Sequence, residues 1–200
     1  MGQVRIISGQ WRRRRIDVAD RPGLRPTPDR VRETLFNWLD HLQDDGWSDL
    51  RVLDAFAGTG ALGFEAASRG ARQVTLIDRD REAFLAMQAV SRALNASPQQ
   101  VSVLQADGIA FLERCPESSL DLIFLDPPFR QGLLEQALLL SARAIRPGGL
   151  IYVESEQSID EWLSQAERPT EFQTLSPVRS LRAGQVMVGL LSSQKIASPS

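Results

Sequence analysis

The sequence has very few of the residues from which metal centres and disulfide bridges are built. Cys115 is the single cysteine and His41 the single histidine among 200 residues. One cysteine forms no disulfide within the chain, which favours a reducing, cytoplasmic location. Neither residue belongs to a Cys/His cluster of the kind that binds zinc. We therefore expect no metal cofactor, and we interpret Cys115 and His41 as structural or surface residues.

Long apolar runs are also lacking. No segment approaches the roughly 20 apolar residues that a membrane-spanning helix needs, and the N-terminus lacks the apolar core of a secretory signal peptide. A hydrophobic content of 42% over 200 residues is that of a globular chain with enough core to fold as one domain. We expect a monomer that does not associate with membranes.

Lysine is nearly absent, and the basic residues are unevenly distributed. Of the 23 basic residues, only Lys195 is a lysine. Residues 1–32 contain nine arginines and three aspartates, which gives a net charge of +6. Because the whole chain carries −2, the remainder carries −8. A basic arm on an acidic body is typical of a protein that binds nucleic acid through the arm.

The predicted arm consists of two short apolar segments on either side of a turn. Residues 4–7 and 16–18 are expected to pair as a small β-hairpin, with an irregular arm as the alternative. A turn-rich linker follows, and Thr27 with Pro28 at the first helical position predicts a helix over residues 28–42. The predicted divisions are a basic arm over 1–24, a main domain over 25–192 and a disordered tail over 193–200.

From residue 51 onward, strand-like and helix-like segments alternate. Strands are predicted at 51–56, 73–77, 101–105, 120–125 and 150–154. Helices are predicted at 60–69, 81–94, 109–114 and 133–145, the last closed by residues 146–149. This succession predicts an α/β fold with a Rossmann-like, doubly wound and mostly parallel sheet. Residues 172–175 and 186–191 break the alternation and predict a terminal hairpin.

A glycine-rich loop joins the first of these strands to the first helix. Gly58, Gly60 and Gly63 match the dinucleotide fingerprint G-x-G-x-x-G, and Asp78 follows Gly58 by twenty residues. Glycine allows the sharp turn, and an acid at that distance can hold ribose hydroxyls. The match fits a nicotinamide cofactor or S-adenosylmethionine, because both carry an adenosine. A tight turn without a ligand is the alternative.

Carboxylates beside this loop favour S-adenosylmethionine. Asp54 closes the first strand, where an acid suits a sulfonium ligand with a free amino group better than a pyrophosphate. Asp107 follows the third strand and can accept from an adenine amine, although a helix N-cap is an equally good interpretation. Asp80 is the expected cap of the second helix. The predicted cofactor contacts are Asp54, Phe56, Gly58, Gly60, Asp78, Asp107 and Gly108.

The fourth strand ends in the sequence Asp126-Pro127-Pro128-Phe129. The apolar run before it, residues 122–125, is typical of a strand buried on both faces of a parallel sheet. Two prolines lack the N–H groups that a central strand needs, so the chain leaves the sheet there. An acid, a proline carbonyl and an aromatic ring at this place suit a flat base with an exocyclic amine. A strand stop with a buried Phe129 is the alternative.

Several segments resemble bacterial 16S ribosomal RNA guanine-N2-methyltransferases, the RsmD family. Residues 25–37 (RPTPDRVRETLFN) resemble the segment before its core, residues 54–66 (DAFAGTGALGFEA) its cofactor loop, and residues 125–129 (LDPPF) its catalytic motif. Residues 151–155 and 183–186 resemble its later strands. The catalytic motif alone is shared with many amino-group methyltransferases of DNA, RNA and protein, whereas the first two segments are much more specific.

The resemblance implies a seven-stranded methyltransferase sheet with an antiparallel last strand. It also implies that S-adenosylmethionine methylates the N2 amine of guanine 966 in small-subunit ribosomal RNA. Asp78 stands where some relatives carry glutamate, and either acid can hold a ribose diol. The implied catalytic groups are Asp126, Pro127 and Phe129. The expected RNA contacts are Arg12, Arg13, Arg14, Arg15 and Arg30.

Several alternatives stay open. Trp11 either stacks on an unpaired base or packs within the hairpin, and either Arg30 or Arg32 can face the RNA. The catalytic motif also fits an amino-group methyltransferase of DNA or protein, of which the basic arm disfavours the protein substrate. The glycine fingerprint fits a nicotinamide-dependent oxidoreductase. A non-catalytic RNA-binding module is disfavoured by the intact acids at positions 54, 78, 107 and 126.

Overall fold

The computed structural model describes residues 2–18, 29–43, 45–128, 132–163 and 169–194. The chain forms two compact units, Met1–Gly108 and Ile109–Ser200. The first contains β1 (Gly2–Arg5), β2 (Arg15–Val18), α1 (Asp29–Leu42), β3 (Arg51–Asp54), α2 (Ala61–Ser68), β4 (Gln73–Asp78), α3 (Arg81–Ala93) and β5 (Val101–Gln105). After α4 (Gly108–Arg114) follow β6 (Leu120–Leu125), α5 (Leu133–Ala144), β7 (Ile145–Ser155), α6 (Ile159–Leu163), β8 (Leu175–Ala183) and β9 (Val186–Ser193).

Seven of the strands form one sheet in the order β5-β4-β3-β6-β7-β9-β8. β4 pairs in parallel with β3 and with β5, and β6 pairs in parallel with β7. β9 is antiparallel to both β7 and β8. The predicted Rossmann-like, mostly parallel sheet with an antiparallel end is therefore confirmed. The predicted division into arm, domain and tail stays a prediction, and residues 195–200 lie outside the described part of the chain.

The burial of the central elements follows their sequences. Residues 122–125 of β6 are completely buried, as expected for a strand covered on both faces. Every residue of α2 is buried, because this helix has no polar face to turn toward water. α3 is amphipathic by contrast, and its buried residues are Ala83 and Met87. No helix among the described residues combines the length and apolar character needed to cross a membrane.

The predicted N-terminal hairpin is confirmed as β1 and β2, which pair antiparallel. Its apolar side chains do not project into solvent: Val4, Ile6, Trp11 and Ile16 are all buried. Trp11 therefore packs in the core of its unit, and its interpretation as a base-stacking residue is wrong. The physical reason is that an indole ring in a short two-stranded hairpin gains more by covering an apolar surface than by standing in water.

The predicted helix after the linker is confirmed with nearly the same bounds, since α1 covers Asp29–Leu42. Its apolar stripe buries Val31, Leu35 and Leu39 at spacings of four residues, as an amphipathic helix requires. The predicted cap, Thr27 with Pro28, lies outside the described residues. α1 therefore covers the first unit with one face and presents charged residues on the other.

The predicted start of the strand after α5 is wrong. β7 begins at Ile145, five residues earlier than predicted, because Ile145 already pairs with Leu120 of β6. The register then shifts, and Leu150 pairs with Leu122. The Pro-Gly-Gly segment between these pairs is an irregularity within the parallel ladder. A sequence pattern does not distinguish such a bulge from a turn that precedes a strand.

The predicted first strand of the terminal hairpin is also wrong. Residues 170–174 form a short 3-10 helix, and the strand that pairs with β9 is β8. An apolar pattern does not predict this strand, because it contains Pro177 and the arginines at 179 and 182. β8 is the last strand of the sheet, where proline and charge are tolerated because one side makes no ladder bonds. The predicted second strand is confirmed as β9.

Cys115 directly follows α4 and is buried. Burial raises the pKa of its thiol, and the nearby Arg143 guanidinium partly opposes this effect. A raised pKa leaves less reactive thiolate at about pH 8. We expect the native protein to react with Ellman's reagent much more slowly than protein unfolded in guanidinium chloride, as followed by absorbance. Equal rates in the two states would contradict a buried thiol.

Candidate active site

The glycine loop between β3 and α2 has the conformation that its sequence predicts. Gly58 and Gly60 have φ angles of 52° and 76°, in the left-handed region that favours glycine. A Cβ added to Gly63 would lie 2.1 Å from Leu76 Cδ2, so Gly63 allows α2 to pack closely against β4. The conformation or the packing of the first unit thus explains why glycine stands at each of these three positions.

Asp54 lies at the end of β3 and is only 3% exposed. Its Oδ2 accepts a hydrogen bond of 3.1 Å from the backbone N–H of Gly63. This N–H belongs to the first turn of α2, where a negative charge is stabilised by the helix dipole. Asp54 therefore holds the loop against the start of α2, and its predicted contact with a cofactor stays a prediction.

Asp78 connects the end of β4 to the glycine loop. Its Oδ2 accepts from Gly58 N at 2.8 Å, and its Oδ1 accepts from Asp80 N at 2.8 Å. Each carboxylate oxygen has two lone pairs, so the half-buried Asp78 retains acceptor capacity for a pair of hydroxyls. Asp80 caps α3 by accepting from Glu82 N and Ala83 N at 2.8 and 2.9 Å. The predicted capping role of Asp80 is confirmed.

Gly108 brings the end of β5 against the same loop. A Cβ added to Gly108 would lie 2.2 Å from the Ala55 carbonyl oxygen and 3.3 Å from Phe56 Cε1. Only glycine fits there, so the backbone at residue 108 contacts the segment that follows β3. Asp107 is exposed beside this contact, and its roles as adenine acceptor and as helix cap both stay predictions. The first unit thus gathers the predicted cofactor residues around one loop.

The predicted catalytic motif lies in the second unit, directly after β6. Asp126 is half-buried, Pro127 is buried and Pro128 is exposed; Phe129 lies outside the described residues. The chain leaves the sheet at the prolines, as predicted from their missing N–H groups. The catalytic roles of Asp126, Pro127 and Phe129 stay predictions.

Four consecutive arginines belong to the N-terminal hairpin, with Arg15 as the first residue of β2. Arg12, Arg13, Arg14 and Arg15 are all exposed. Arg13 has a φ angle of 70°, an uncommon conformation for a residue with a side chain. The backbone around it is fixed, since Ile6 and residues 13–14 exchange two hydrogen bonds of 2.9 Å. The guanidinium groups therefore project from a structured turn.

The open question about the two arginines of α1 has a clear answer. Arg30 is exposed, whereas Arg32 is completely buried. Arg32 Nη2 donates to the Arg5 carbonyl oxygen at 2.8 Å and to Asp29 Oδ1 at 2.7 Å. Arg32 therefore fastens α1 to the hairpin, and Arg30 is the exposed residue of this pair; the contact of Arg30 with RNA stays a prediction.

The sequence did not identify Glu65, a polar side chain with three hydrogen-bond donors around it. It is completely buried in the middle of α2, and its carboxylate accepts from Ile7 N at 2.6 Å, Ser8 N at 3.0 Å and Arg69 Nε at 2.9 Å. A signal was present: Glu65 is the one charged residue in the sequence ALGFEAAS. A carboxylate in such a helix needs partners, because burying it unpaired is costly.

Sequence comparisons cover most of the chain. The family described as "Conserved hypothetical protein 95" matches residues 4–191. The chain is 46% identical over 157 residues to ribosomal RNA small subunit methyltransferase D of Escherichia coli K12, covering 78% of this chain and 76% of that protein. It is 31% identical over 160 residues to a putative rRNA methyltransferase of Bacillus subtilis, covering 78% and 85%.

Solved structures share the fold over nearly the whole chain. A putative methyltransferase from Escherichia coli has a TM-score of 0.78 and 38% identity, covering 96% of this chain and 99% of that one. A putative methylase from Haemophilus influenzae has a TM-score of 0.75 and 33% identity, covering 97% and 100%. Trm1 from Pyrococcus horikoshii, solved with S-adenosyl-L-methionine, has a TM-score of 0.69 and 16% identity, covering 97% and 62%. At that identity, only the fold is shared.

Proposed function

The chain belongs to the ribosomal RNA small subunit methyltransferase D family, and we propose that it transfers a methyl group from S-adenosylmethionine to the exocyclic N2 of a guanine in small-subunit ribosomal RNA. The proposed target is guanine 966. The observation that carries the proposal is the 46% identity to the Escherichia coli enzyme over 157 residues. These residues include a glycine loop with an acid at the end of each neighbouring strand.

The residues around the loop fit S-adenosylmethionine better than a nicotinamide cofactor. Asp78 retains acceptor capacity for the ribose hydroxyls after its two backbone hydrogen bonds. The first turn of α2, which would bind the pyrophosphate of a dinucleotide, already donates to the carboxylate of Asp54. A second anion at this place would meet the buried charge of Asp54. A sulfonium ligand with an amino group is attracted by the same charge.

The chemistry requires activation of a weak nucleophile. S-adenosylmethionine supplies a methyl group attached to a positively charged sulfur. The N2 lone pair of guanine is delocalised into the ring, so it attacks poorly. The carboxylate of Asp126 and the carbonyl of Pro127 accept the two N2 hydrogens, which concentrates electron density on the nitrogen. These hydrogen bonds strengthen as positive charge develops on N2, and they therefore stabilise the transition state more than the ground state.

The base must also be oriented, and its proton must leave. Phe129 stacks on the guanine and fixes its angle of approach, after the base has been taken out of its stack. N2 becomes acidic only when it carries the new methyl group, so a carboxylate of ordinary basicity accepts the released proton. In this proposal Asp126 takes the proton, because it already accepts one of the two N2 hydrogens.

The RNA contacts of this proposal lie on the hairpin and on α1. Arg12, Arg13 and Arg14 are exposed between β1 and β2, Arg15 is exposed at the start of β2, and Arg30 is exposed on α1. Arginine binds phosphate oxygens through paired N–H groups. The acidic remainder of the chain repels the RNA backbone, so the basic turn directs the approach of the RNA.

Methyl transfer onto ribosomal RNA tests the function directly. The protein is incubated with methyl-labelled S-adenosylmethionine and either free small-subunit rRNA or assembled small subunits, and the labelled nucleoside is identified by mass spectrometry. We expect label in N2-methylguanosine. Methylation of adenine, of DNA or of a ribosomal protein instead would overturn the proposed substrate.

Calorimetry tests the cofactor. We expect S-adenosylmethionine to bind and NAD not to bind. Asp78→Ala is expected to weaken binding by about 1–3 kcal/mol, because the ribose hydroxyls lose a charged acceptor. Asp78→Asn is the comparison variant: it keeps one accepting oxygen but turns an NH₂ donor toward one of the two backbone N–H groups, so we expect it to weaken binding as well. A protein that binds NAD and does not bind S-adenosylmethionine would be better explained as an oxidoreductase.

Asp126 is tested by comparing turnover with folding. Asp126→Ala should retain the cofactor and RNA affinities, while the single-turnover rate falls by about 10²–10³, the loss typical when one preorganised contact to a transition state is removed. Asp126→Asn should be milder, because an amide oxygen still accepts a hydrogen bond. The melting temperature is measured on the same samples. A stable and fully active Asp126→Ala variant would remove this residue from the mechanism.

A further inference from the structure

The turn of the N-terminal hairpin rests on α2 through a buried carboxylate. Two consecutive backbone N–H groups, those of Ile7 and Ser8, point at Glu65 and donate to its two oxygens at 2.6 and 3.0 Å. These N–H groups follow β1 and have no strand partner there. Glu65 is completely buried, so water does not compete for either bond. The hairpin is thus attached to α2 through its own backbone.

A second set of contacts closes the turn on the last residue of α2, Ser68. Its Oγ accepts from Trp11 N at 3.0 Å and donates to the Ser8 carbonyl oxygen at 2.6 Å. Its carbonyl oxygen accepts from Gln10 N at 2.8 Å. A Cβ added to Gly9 would lie 1.8 Å from that carbonyl oxygen. The turn therefore fits α2 only with glycine at this position.

Arg69 connects the same carboxylate to α1. Its Nε donates to Glu65 Oε1 at 2.9 Å, and its Nη1 pairs with Asp40 Oδ2 at 2.5 Å. Its guanidinium lies 4.9 Å from the centre of the Phe36 ring, a cation–π distance. Together with the bond from Arg32 to the hairpin backbone, this network ties the hairpin, α1 and α2 into one body.

A buried ion pair is a costly way to hold three elements together. Apolar side chains of similar volume often stabilise a core as well as or better than a buried salt bridge. A carboxylate that accepts from two adjacent backbone N–H groups fixes the direction and register of the turn, which apolar packing does not do. The turn carries the exposed arginines, and α2 begins at the cofactor loop. Glu65 lies five residues after Gly60, about 7 Å along the helix axis.

We propose that Glu65 is a positioning residue for RNA: it holds the basic turn of the hairpin at a fixed place relative to the cofactor loop. The proposal rests on the function proposed above. The surface next to the turn supports it, because Arg14 and Arg15 line a shallow groove with small residues of α3, including Ala86 and Ala89. A strand of RNA that binds these arginines is then guided along α3, whose N-terminus adjoins Asp78.

Two substitutions disturb this attachment from opposite sides without removing an arginine. Glu65→Gln removes the charge that faces Arg69 and turns an NH₂ donor toward the backbone N–H groups. Gly9→Ala drives a methyl group into the Ser68 carbonyl. The control for Glu65→Gln is Glu117→Gln, at an exposed glutamate. The control for Gly9→Ala is Gly46→Ala, because Gly46 has a similar φ angle (+72°, against +77° for Gly9) but no atom lies within 4 Å of the added Cβ.

The assay measures RNA affinity over a range of salt concentrations, S-adenosylmethionine affinity by calorimetry, and the single-turnover rate at saturating RNA. Both test variants should bind small-subunit rRNA about tenfold more weakly and show a salt slope lower by roughly 0.7–0.9 for each lost phosphate contact. Their S-adenosylmethionine affinity and their rate at saturating RNA should stay close to those of the wild type. The two controls should match the wild type in every measurement.

The outcomes separate this proposal from the function on which it rests. A wild-type protein that methylates no ribosomal RNA overturns the proposed function. If the wild type is active but the test variants have the same RNA affinity and salt slope as their controls, only the positioning role is overturned. The positioning role is also overturned if both test variants lose S-adenosylmethionine binding and no longer show a cooperative thermal unfolding transition. Glu65 then serves only folding.

Discussion

Carboxylates that accept backbone N–H groups are the interaction on which the first unit depends. Asp54 accepts from Gly63, Asp78 accepts from Gly58, and Glu65 accepts from two residues of the hairpin turn. None of these N–H groups has a partner in a strand ladder, so each would otherwise need water or carry a desolvation cost. The three acids satisfy these donors and fix the loop, α2 and the hairpin relative to one another.

The sequence predicted the elements whose signals are local. The apolar run of β6 and the two prolines after it lie within eight residues, and the glycine fingerprint defines both the turn and the packing of α2 on β4. The capping role of Asp80 also depends only on the next three residues. Such features are readable from sequence because their physical causes act between neighbours in the chain.

The features that sequence reasoning missed depend on distant partners or on position in the sheet. Glu65 bonds a residue 58 positions earlier, and Arg32 bonds a carbonyl 27 positions earlier. Glu65 was visible as the single charged residue of an apolar helix, but the partners of Glu65 and Arg32 were not visible. β8 was missed because an edge strand tolerates Pro177 and arginines that a central strand excludes. Topology, which no local pattern encodes, decides which strand is an edge.

The buried attachment of the hairpin changes how its role in RNA binding has to be tested. Removing residues 1–18 takes away the buried side chains of Val4, Ile6, Trp11 and Ile16 and leaves the carboxylate of Glu65 without its two backbone donors. Arg69 still pairs with Glu65, but losing this buried apolar surface and two of the three donors to a buried carboxylate is destabilising. We therefore expect a truncated protein to lose activity whether or not the hairpin touches RNA. The arginines at positions 12–15 are exposed, and Arg15 Nη1 donates to Gln3 Oε1 at 3.1 Å in an exposed hydrogen bond. Their charge is therefore separable from the fold, whereas the backbone that presents them is not.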